Sequence, residues 1–332
     1  MYGLNIMAVF LLVISFVLPY LPPSIFPSLS LLSLGVSPLL LINLLFGIYW
    51  LIRLKKQFLL SFLVLLIAYF HFNPFFEISS EGDPTKYKET LTLLSYNVHL
   101  FNAYEPEPNP EEVKQQISEL IKTENPDVIC IQEYYDANEG HFSDYPYRFI
   151  HFKDTSNALG HAIFSKYPIV NRGGFDFPNS YNNTIYADIK KGNDTLRIYN
   201  LHLQSLGILP SVAFLQSRGT DKIKKRISET FVIQEEQINS ILEHKSRSKY
   251  PVIVSGDFNN TPFSYTYRSL KKNMNDAFLE RGNGLGTTYL FNRYPMRIDY
   301  IFGSESMDVV KFNTIKNTFS DHYPVSATFG WN

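Results

Sequence analysis

The stretch YPVIVSGDFNNTP, residues 250–262, joins an apolar β-branched run to an abruptly polar turn. The run has the composition of a buried strand. Asp257 and Asn259 flank Phe258, and alternate side chains of an extended strand share a face. A carboxylate and an amide therefore stand together at the mouth of a hydrophobic strand, where packing alone has no use for them.

The same device recurs along the chain. TLTLLSYNVHL, PDVICIQEY, HAIFSKYPIV, TIYADIK, TLRIYNLHL, RIDYIFG and PVSATF also read as strands. Asn97, Glu133, His202, Asp299 and the pair Asp321–His322 each close such a strand or open the loop behind it. Converging, these ends make a cleft of carboxylates, amides and two histidines, donors suited to a hard cation and a phosphate. Two helical patterns lie between the strands. Asn109–Glu124 offers an Asn cap, Pro at the first helical position, acids in the first turn and an apolar stripe of Val113, Ile117 and Leu120. Lys222–His244 is the second. Many strands with few helices predict one α/β domain of two packed sheets.

The 332 residues carry a formal charge of −1, but unevenly. Only Arg53, Lys55 and Lys56 among the basic residues, and no acid, precede Glu77; the remainder holds 27 basic against 31 acidic side chains. Such a balance offers nucleic acid no long-range attraction. Cys130 is the one cysteine, so no internal disulfide forms, and within DVICIQE it reads as a small buried hydrophobe.

Three apolar runs, about residues 5–21, 29–52 and 58–76, meet or approach the ~20 residues that a helix needs to cross a bilayer. They are expected to be three transmembrane helices in an anchor of residues 1–76, followed by a linker (77–90) and a catalytic domain (91–332). The basic loop Arg53–Lys56 should be cytoplasmic. That makes the chain an integral protein of a bacterial inner or plasma membrane, with the catalytic domain on the non-cytoplasmic side.

In their order, YNVHLFN, DVICIQEY, HAIFSKYPI, NLHLQS, SGDFNNTP, RIDYIF and SDHYPV resemble the endonuclease/exonuclease/phosphatase superfamily, which also includes neutral sphingomyelinases and inositol-phosphate 5-phosphatases. The resemblance implies a four-layer sandwich, two mixed β-sheets face to face with helices outside, and a divalent-metal-dependent attack of water on a phosphate ester. It implies Glu133, Asn97 and Asp321 around a Mg²⁺ ion, with Mn²⁺ as a substitute. Asp257 and Asn259 match the pair that orients water and phosphate, His322 the catalytic histidine, Asp299 the carboxylate that orients it, and His202 a donor to the scissile phosphate. His99 stands where abasic-site endonucleases carry Asp, and His202 where they carry Tyr, which turns the resemblance toward the deoxyribonuclease, sphingomyelinase and phosphatase branches.

Three roles follow: a membrane-anchored phosphoesterase acting on a lipid or small molecule, a tethered nuclease acting on DNA or RNA, and an inactive binding domain. The aromatic stretch 133–152 and the apolar loop 205–217 are candidates for lipid contact or for plain core packing. The cluster DKIKKR (221–226) reads as the solvated start of a helix.

Overall fold

The computed structural model describes residues 1–72, 76–135, 141–153, 159–178, 180–208 and 219–332. The chain divides into two compact units. One takes in Met1–Phe75, Leu206–Ile238 and Asn260–Leu270; the other holds Phe76–Ser205, Asn239–Asn259 and Lys271–Asn332.

The first unit is built on helices Tyr2–Ser15, Val36–Ile52 and Phe58–His71. Its helices bury an apolar cluster of Leu12, Leu40, Val64 and Ala68 together with polar side chains. Asn5, Ser15, Asn43 and Ser61 are buried, whereas Phe10, Ile52 and Phe70 are exposed. Asn5 donates to Ser61 Oγ at 2.8 Å and accepts from Trp50 Nε1 at 3.0 Å. Asn43 donates to the Ala8 carbonyl at 3.2 Å. Polar side chains thus knit helix to helix, as they do where the surroundings are as apolar as leucine. Within the same unit, Glu235 accepts from Ser24 N and Oγ, and Phe263 meets Phe72 edge to face at 5.0 Å.

Two helical spans among the described residues, Tyr2–Tyr20 and Pro27–Ile52, are long and apolar enough to cross a bilayer, where the sequence predicts three. The third helix, Phe58–His71, has 14 residues. At ~1.5 Å per residue it reaches about 21 Å, short of a ~30 Å hydrocarbon core. It stops early because Phe72 already leaves helical geometry (φ −89°, ψ 1°), two residues ahead of Pro74.

The second unit contains two mixed six-stranded sheets. In chain order the strands are β1 (Glu89–Asn97), β2 (Val128–Tyr134), β3 (Tyr147–Phe152), β4 (Gly160–Ser165), β5 (Ile169–Asp176), β6 (Asn183–Lys191), β7 (Asp194–His202), β8 (Val252–Asp257), β9 (Met274–Asp276), β10 (Asp299–Ser304), β11 (Asp308–Thr314) and β12 (Val325–Trp331). One sheet runs β11-β12-β1-β2-β4-β3, the other β9-β10-β8-β7-β6-β5. Each has one parallel pair at its centre, β1/β2 and β7/β8; all other neighbours are antiparallel.

The inner faces meet in one core, where Leu91, Leu93, Cys130 and Ile163 of the first sheet pack with Ile185, Ile198, Ile253 and Ile301 of the second. Helix Pro110–Glu124 covers the outer face of the first sheet, burying Val113, Ile117 and Leu120. It starts as its sequence dictates, with Asn109 accepting from Glu112 N at 3.3 Å and Pro110 in the first turn. The end of helix Thr220–Ser246 covers the second sheet, where His244 Nδ1 lies 2.7 Å from the Tyr199 hydroxyl. The layers are therefore helix, sheet, sheet, helix.

In the aromatic stretch, Tyr134, Phe142 and Tyr145 are buried in the core, with Phe142 stacked on Phe164 at 4.2 Å, while Tyr147 is exposed. Its residues 136–140, most of the apolar loop (209–217), and Asn73 and Pro74 lie outside the described residues.

Both parallel pairs aim their C-terminal ends at the same edge of the sandwich. Register sets Asn97 beside Gln132, His202 beside Asp257, and Asp299 opposite Asp257. Gly256 allows the β7/β8 approach: its φ is +131°, and a Cβ there would lie 2.0 Å from the Leu201 carbonyl oxygen. Gly256→Ala is therefore expected to destabilise the protein by more than about 2 kcal/mol, seen as a Tm lowered by about 4–8 °C. An unchanged melting curve contradicts the close approach.

Candidate active site

The site is organised around one carboxylate oxygen. Asp257 is buried at the end of β8, and its Oδ2 accepts from Asn97 Nδ2 and Asn259 Nδ2, each at 3.2 Å. The same oxygen lies 3.7 Å from His202 Nε2 and 3.7 Å from His322 Nε2. Its other oxygen accepts from Asn259 N at 2.7 Å. Asp257 and Asn259 do stand together, though not as an extended pair: Asn259 is left-handed (φ 49°), and its amide folds back to bond both Asp257 and the Leu203 carbonyl.

Glu133 comes from the other sheet. A register shift between β2 and β4 around Ile131–Tyr134, with φ 54° at Glu133, re-aims this side chain out of the strand. Bulges and left-handed non-glycine residues carry local strain and gather at functional sites. Glu133 Oε1 accepts from Asn97 Nδ2 at 3.2 Å and lies 3.7 Å from His202 Nε2. With a side chain 23% exposed, it opens the cluster to solvent.

His322 lies just before β12, held by a bridge to Tyr289 and by Ser320, whose Oγ accepts from His322 N at 3.1 Å and donates to the Asn97 carbonyl at 2.8 Å. Its Nδ1 is 3.0 Å from Asp299 Oδ2. Thr288 Oγ1 accepts from Asp299 N, and the Tyr289 ring lies 4.8 Å from the His322 ring. Asp321 sits apart at the rim, half exposed, with Oδ1 4.0 Å from His99 Nδ1 and 3.4 Å from Ser320 Oγ, and its charge acts on His322. Of the eight residues singled out in the sequence, seven therefore converge.

Charge separates the two histidines. Burial works against a charge on His322, but Asp299, Asp257 and Asp321 outweigh it and raise the imidazolium to about 10. For His202 burial prevails over the attraction of Glu133, which together with repulsion from His322 holds it below its usual range and neutral. Asp257 is pushed up to about 7, first by desolvation, then by Asp299, against the pull of His322. Three carboxylates, Glu133, Asp257 and Asp299, are set against one imidazolium, an excess of negative charge.

That excess is what a divalent cation relieves, and the residues fit one. The electropositive end of the Asn97 amide lies where Glu133 Oε1 and Asp257 Oδ2 both present lone pairs, and hard oxygen donors surround the point. Asp257, Asp299 and His322 also bring potential ligand atoms within 4.8 Å of one another. An imidazolium cannot ligate, however, and Asp299 already holds its Nδ1, so that trio reads as an oriented acid.

Sequence reasoning missed Ser320, Thr288 and Tyr289, which fix the backbone and rings of the named residues. Polar and aromatic residues in loops carry no distinguishing signal. It also passed over His161 inside the apolar run HAIFS, which lies buried beside His202.

Fold and site together define a hydrolase acting on phosphate esters. The chain belongs to the Endonuclease/Exonuclease/phosphatase family, whose model matches residues 94–322. Residues 1–75 match a separate family, described as a domain of unknown function (DUF8431). Solved structures share the fold. An endonuclease/exonuclease/phosphatase from Bacteroides vulgatus is 17% identical, with 74% of this chain and 100% of that one covered and a TM-score of 0.55. A functionally unknown conserved protein from Enterococcus faecalis is 17% identical, with 73% and 100% covered and a TM-score of 0.56. D. rerio TDP2, solved with a single strand DNA product, is 16% identical, with 73% and 100% covered and a TM-score of 0.54. No curated protein sequence matches the chain.

His322 and Asp257 both have folded pKa values above their ordinary 6.5 and 3.8. Each contributes stability that is present at low pH and lost as pH rises through its folded value, about 7 for Asp257 and about 10 for His322. The unfolding free energy measured in chelator should therefore fall between pH 6.5 and 10, and less steeply in His322→Gln. A slope that the substitution leaves unchanged contradicts the assignment of the charge to His322.

Proposed function

We propose that the protein is a membrane-anchored, divalent-metal-dependent phosphoesterase that hydrolyses a phosphodiester or phosphomonoester of a lipid or small molecule. The observation that carries this is the single oxygen, Asp257 Oδ2, shared by two amides and faced by two histidines of opposite charge state.

Asp257, pushed up to about 7, is poised near neutral pH to take a proton from an attacking water. Asn259 orients that water through its amide. As the water oxygen bonds to phosphorus and the ester bond breaks, His322 Nε2–H gives its proton to the departing oxygen and is later recharged by the proton on Asp257, while His202 Nε2–H donates to a phosphoryl oxygen. Asp299 holds the His322 ring and its charge in place. Glu133 would hold the cation, Mg²⁺ or Mn²⁺ in its stead, joined by Asn97 once its amide turns Oδ1 inward, with Asp321 adding charge from the rim. When bound, the cation supplies neutralisation of a non-bridging phosphate oxygen.

The anchoring reads from residues 1–76, with 77–90 as linker and 91–332 as the catalytic part. Polar side chains turned inward and large apolar ones turned outward suit helices immersed in lipid. The basic turn Arg53–Lys56 favours the catalytic part on the non-cytoplasmic side of an inner or plasma membrane. A nuclease on the same anchor is the second reading, favoured by the DNA product bound to TDP2, whose fold this chain shares.

The test uses the full chain in nanodiscs with Mg²⁺, offered phospholipid and sphingomyelin vesicles, plasmid DNA and bis-p-nitrophenyl phosphate. Release of a phosphorylated head group or of phosphate, lost with EDTA and lowered about 10²–10³-fold by Asp257→Asn or His322→Ala, is expected. Nicking of DNA with vesicles intact replaces this reading with the nuclease. Inertness toward every substrate, in folded protein with metal, counts against both. A periplasm-specific reporter fused after Asn332 should be active; a silent one reverses the orientation.

A further inference from the structure

The strand that carries Glu133 breaks its own alternation, and the break is held from the facing sheet. Along β2, Val128 and Cys130 enter the core between the sheets, while Ile129 and Ile131 enter the layer under helix Pro110–Glu124. Strict alternation would next turn Gln132 inward, Glu133 under the helix and Tyr134 inward. Instead Tyr134 lies under the helix with Ile131. The register shows why. Ile131 pairs with Ala162 and Tyr134 with Gly160, so Gln132 and Glu133 together oppose His161. Glu133 is the extra residue of a bulge, left-handed at φ 54°. In an unbroken strand its carboxylate would point into the apolar layer instead of the cleft.

A bulge disrupts the ladder locally, and a left-handed glutamate persists only where its surroundings hold it. Asn200 of β7 does so. Its Nδ2 donates to the Ile131 carbonyl at 2.9 Å and to the Ala162 carbonyl at 3.0 Å, the last regular pair before the break. Its Oδ1 accepts from Gln132 Nε2 at 2.6 Å, and the same Nε2 donates to Ser95 Oγ at 3.1 Å. Both amides are fully buried. A buried amide is costly unless its donors and acceptor are used, and those of Asn200 all are. Packing alone has no need of it: Ile198, two residues earlier on the same face of β7, belongs to the apolar core.

We propose that Asn200 is a positioning residue: with Gln132 it clasps the bulge from the facing sheet and so holds Glu133 turned out of β2, toward the cation. This rests on the metal-dependent reading of the site for its purpose, but not for its geometry. A merely structural Asn200 would lower stability when replaced and leave the Mn²⁺ affinity of the folded protein unmoved.

The experiment titrates Mn²⁺ into the full chain in phosphatidylcholine nanodiscs, without substrate, and reads free Mn²⁺ by electron paramagnetic resonance. Asn200→Leu, which keeps the volume but has no donor, should weaken binding about 10–100-fold, and by no more than Glu133→Gln does. Ile253→Val, elsewhere in the same core, should lower Tm and leave the affinity unchanged. Gln132→Met, which leaves Asn200 its two carbonyls, should weaken binding less than Asn200→Leu. An affinity unmoved in Asn200→Leu overturns the proposal, even if activity falls, and so does a loss exceeding that of Glu133→Gln. If Asn200→Leu does not fold, the same two outcomes in Gln132→Met decide. Wild type that binds Mn²⁺ yet hydrolyses no phosphate ester sinks the proposed function and leaves the clasp standing; wild type that binds none overturns both.

Discussion

The parallel pairing of β7 with β8 is the constraint on which the rest depends. It sets His202 level with Asp257 and withdraws the Asp257 carboxylate from water, at a point where the backbones come too close for any residue but glycine at 256. A carboxylate so buried is costly unless its lone pairs are occupied and its charge answered. Asn97, Asn259 and the His322 imidazolium are the answer, each delivered from a different segment. The site is thus the means by which this sandwich tolerates a buried charge, and the residual excess of negative charge is what leaves room for a cation.

How much of this the sequence foretold differs by kind of residue. Central strands such as PVIVSGD and TLRIYNLH were legible because both faces are buried and the apolar run is nearly continuous. Edge strands were not. β11 (DVVKFNT) and β3 (YRFIHF) carry mixed, half-exposed patterns that a loop could equally show. Helix Pro110–Glu124 announced its start through Asn109 and Pro110, and it ends at a left-handed Asn125 just ahead of Pro126. Ionisable residues at the ends of apolar runs were conspicuous because packing cannot explain them. Ser320 and Thr288, whose hydroxyls position the catalytic backbone, look like any loop residues until the fold brings them together.

The two units place their polar side chains differently. In the sandwich, apolar side chains go inward and buried polar ones are held in hydrogen bonds, Gln132 to Asn200 within the core and Asp257 with its partners at the edge. In the helical unit, Asn5, Asn43 and Ser61 go inward beside Leu12, Leu40 and Val64, while many large apolar side chains stay exposed. Hydropathy alone sees only apolar runs and so counted three spans. The 14 residues of Phe58–His71 show that a helix can share that composition, and take its place among its neighbours through Ser61 and Ala68, without being long enough to cross alone.

The two histidines at Asp257 carry the physical argument furthest. Both present Nε2 to the same oxygen at 3.7 Å, and both are buried, so neither distance nor burial tells them apart. What differs is the group at the back of each ring. Behind His322 stands the Asp299 carboxylate, and an anion there makes the imidazolium the stable form. Beside His202 lies the His161 ring rather than a carboxylate, and desolvation with repulsion from His322 keeps His202 neutral. Were both rings cationic, Asp257 would be held ionised but too weakly basic to accept a proton near neutral pH. Were both neutral, the buried carboxylate would have no counter-charge and would remain protonated. One of each keeps Asp257 near the midpoint, and the choice is made one layer behind the atoms that would meet the phosphate.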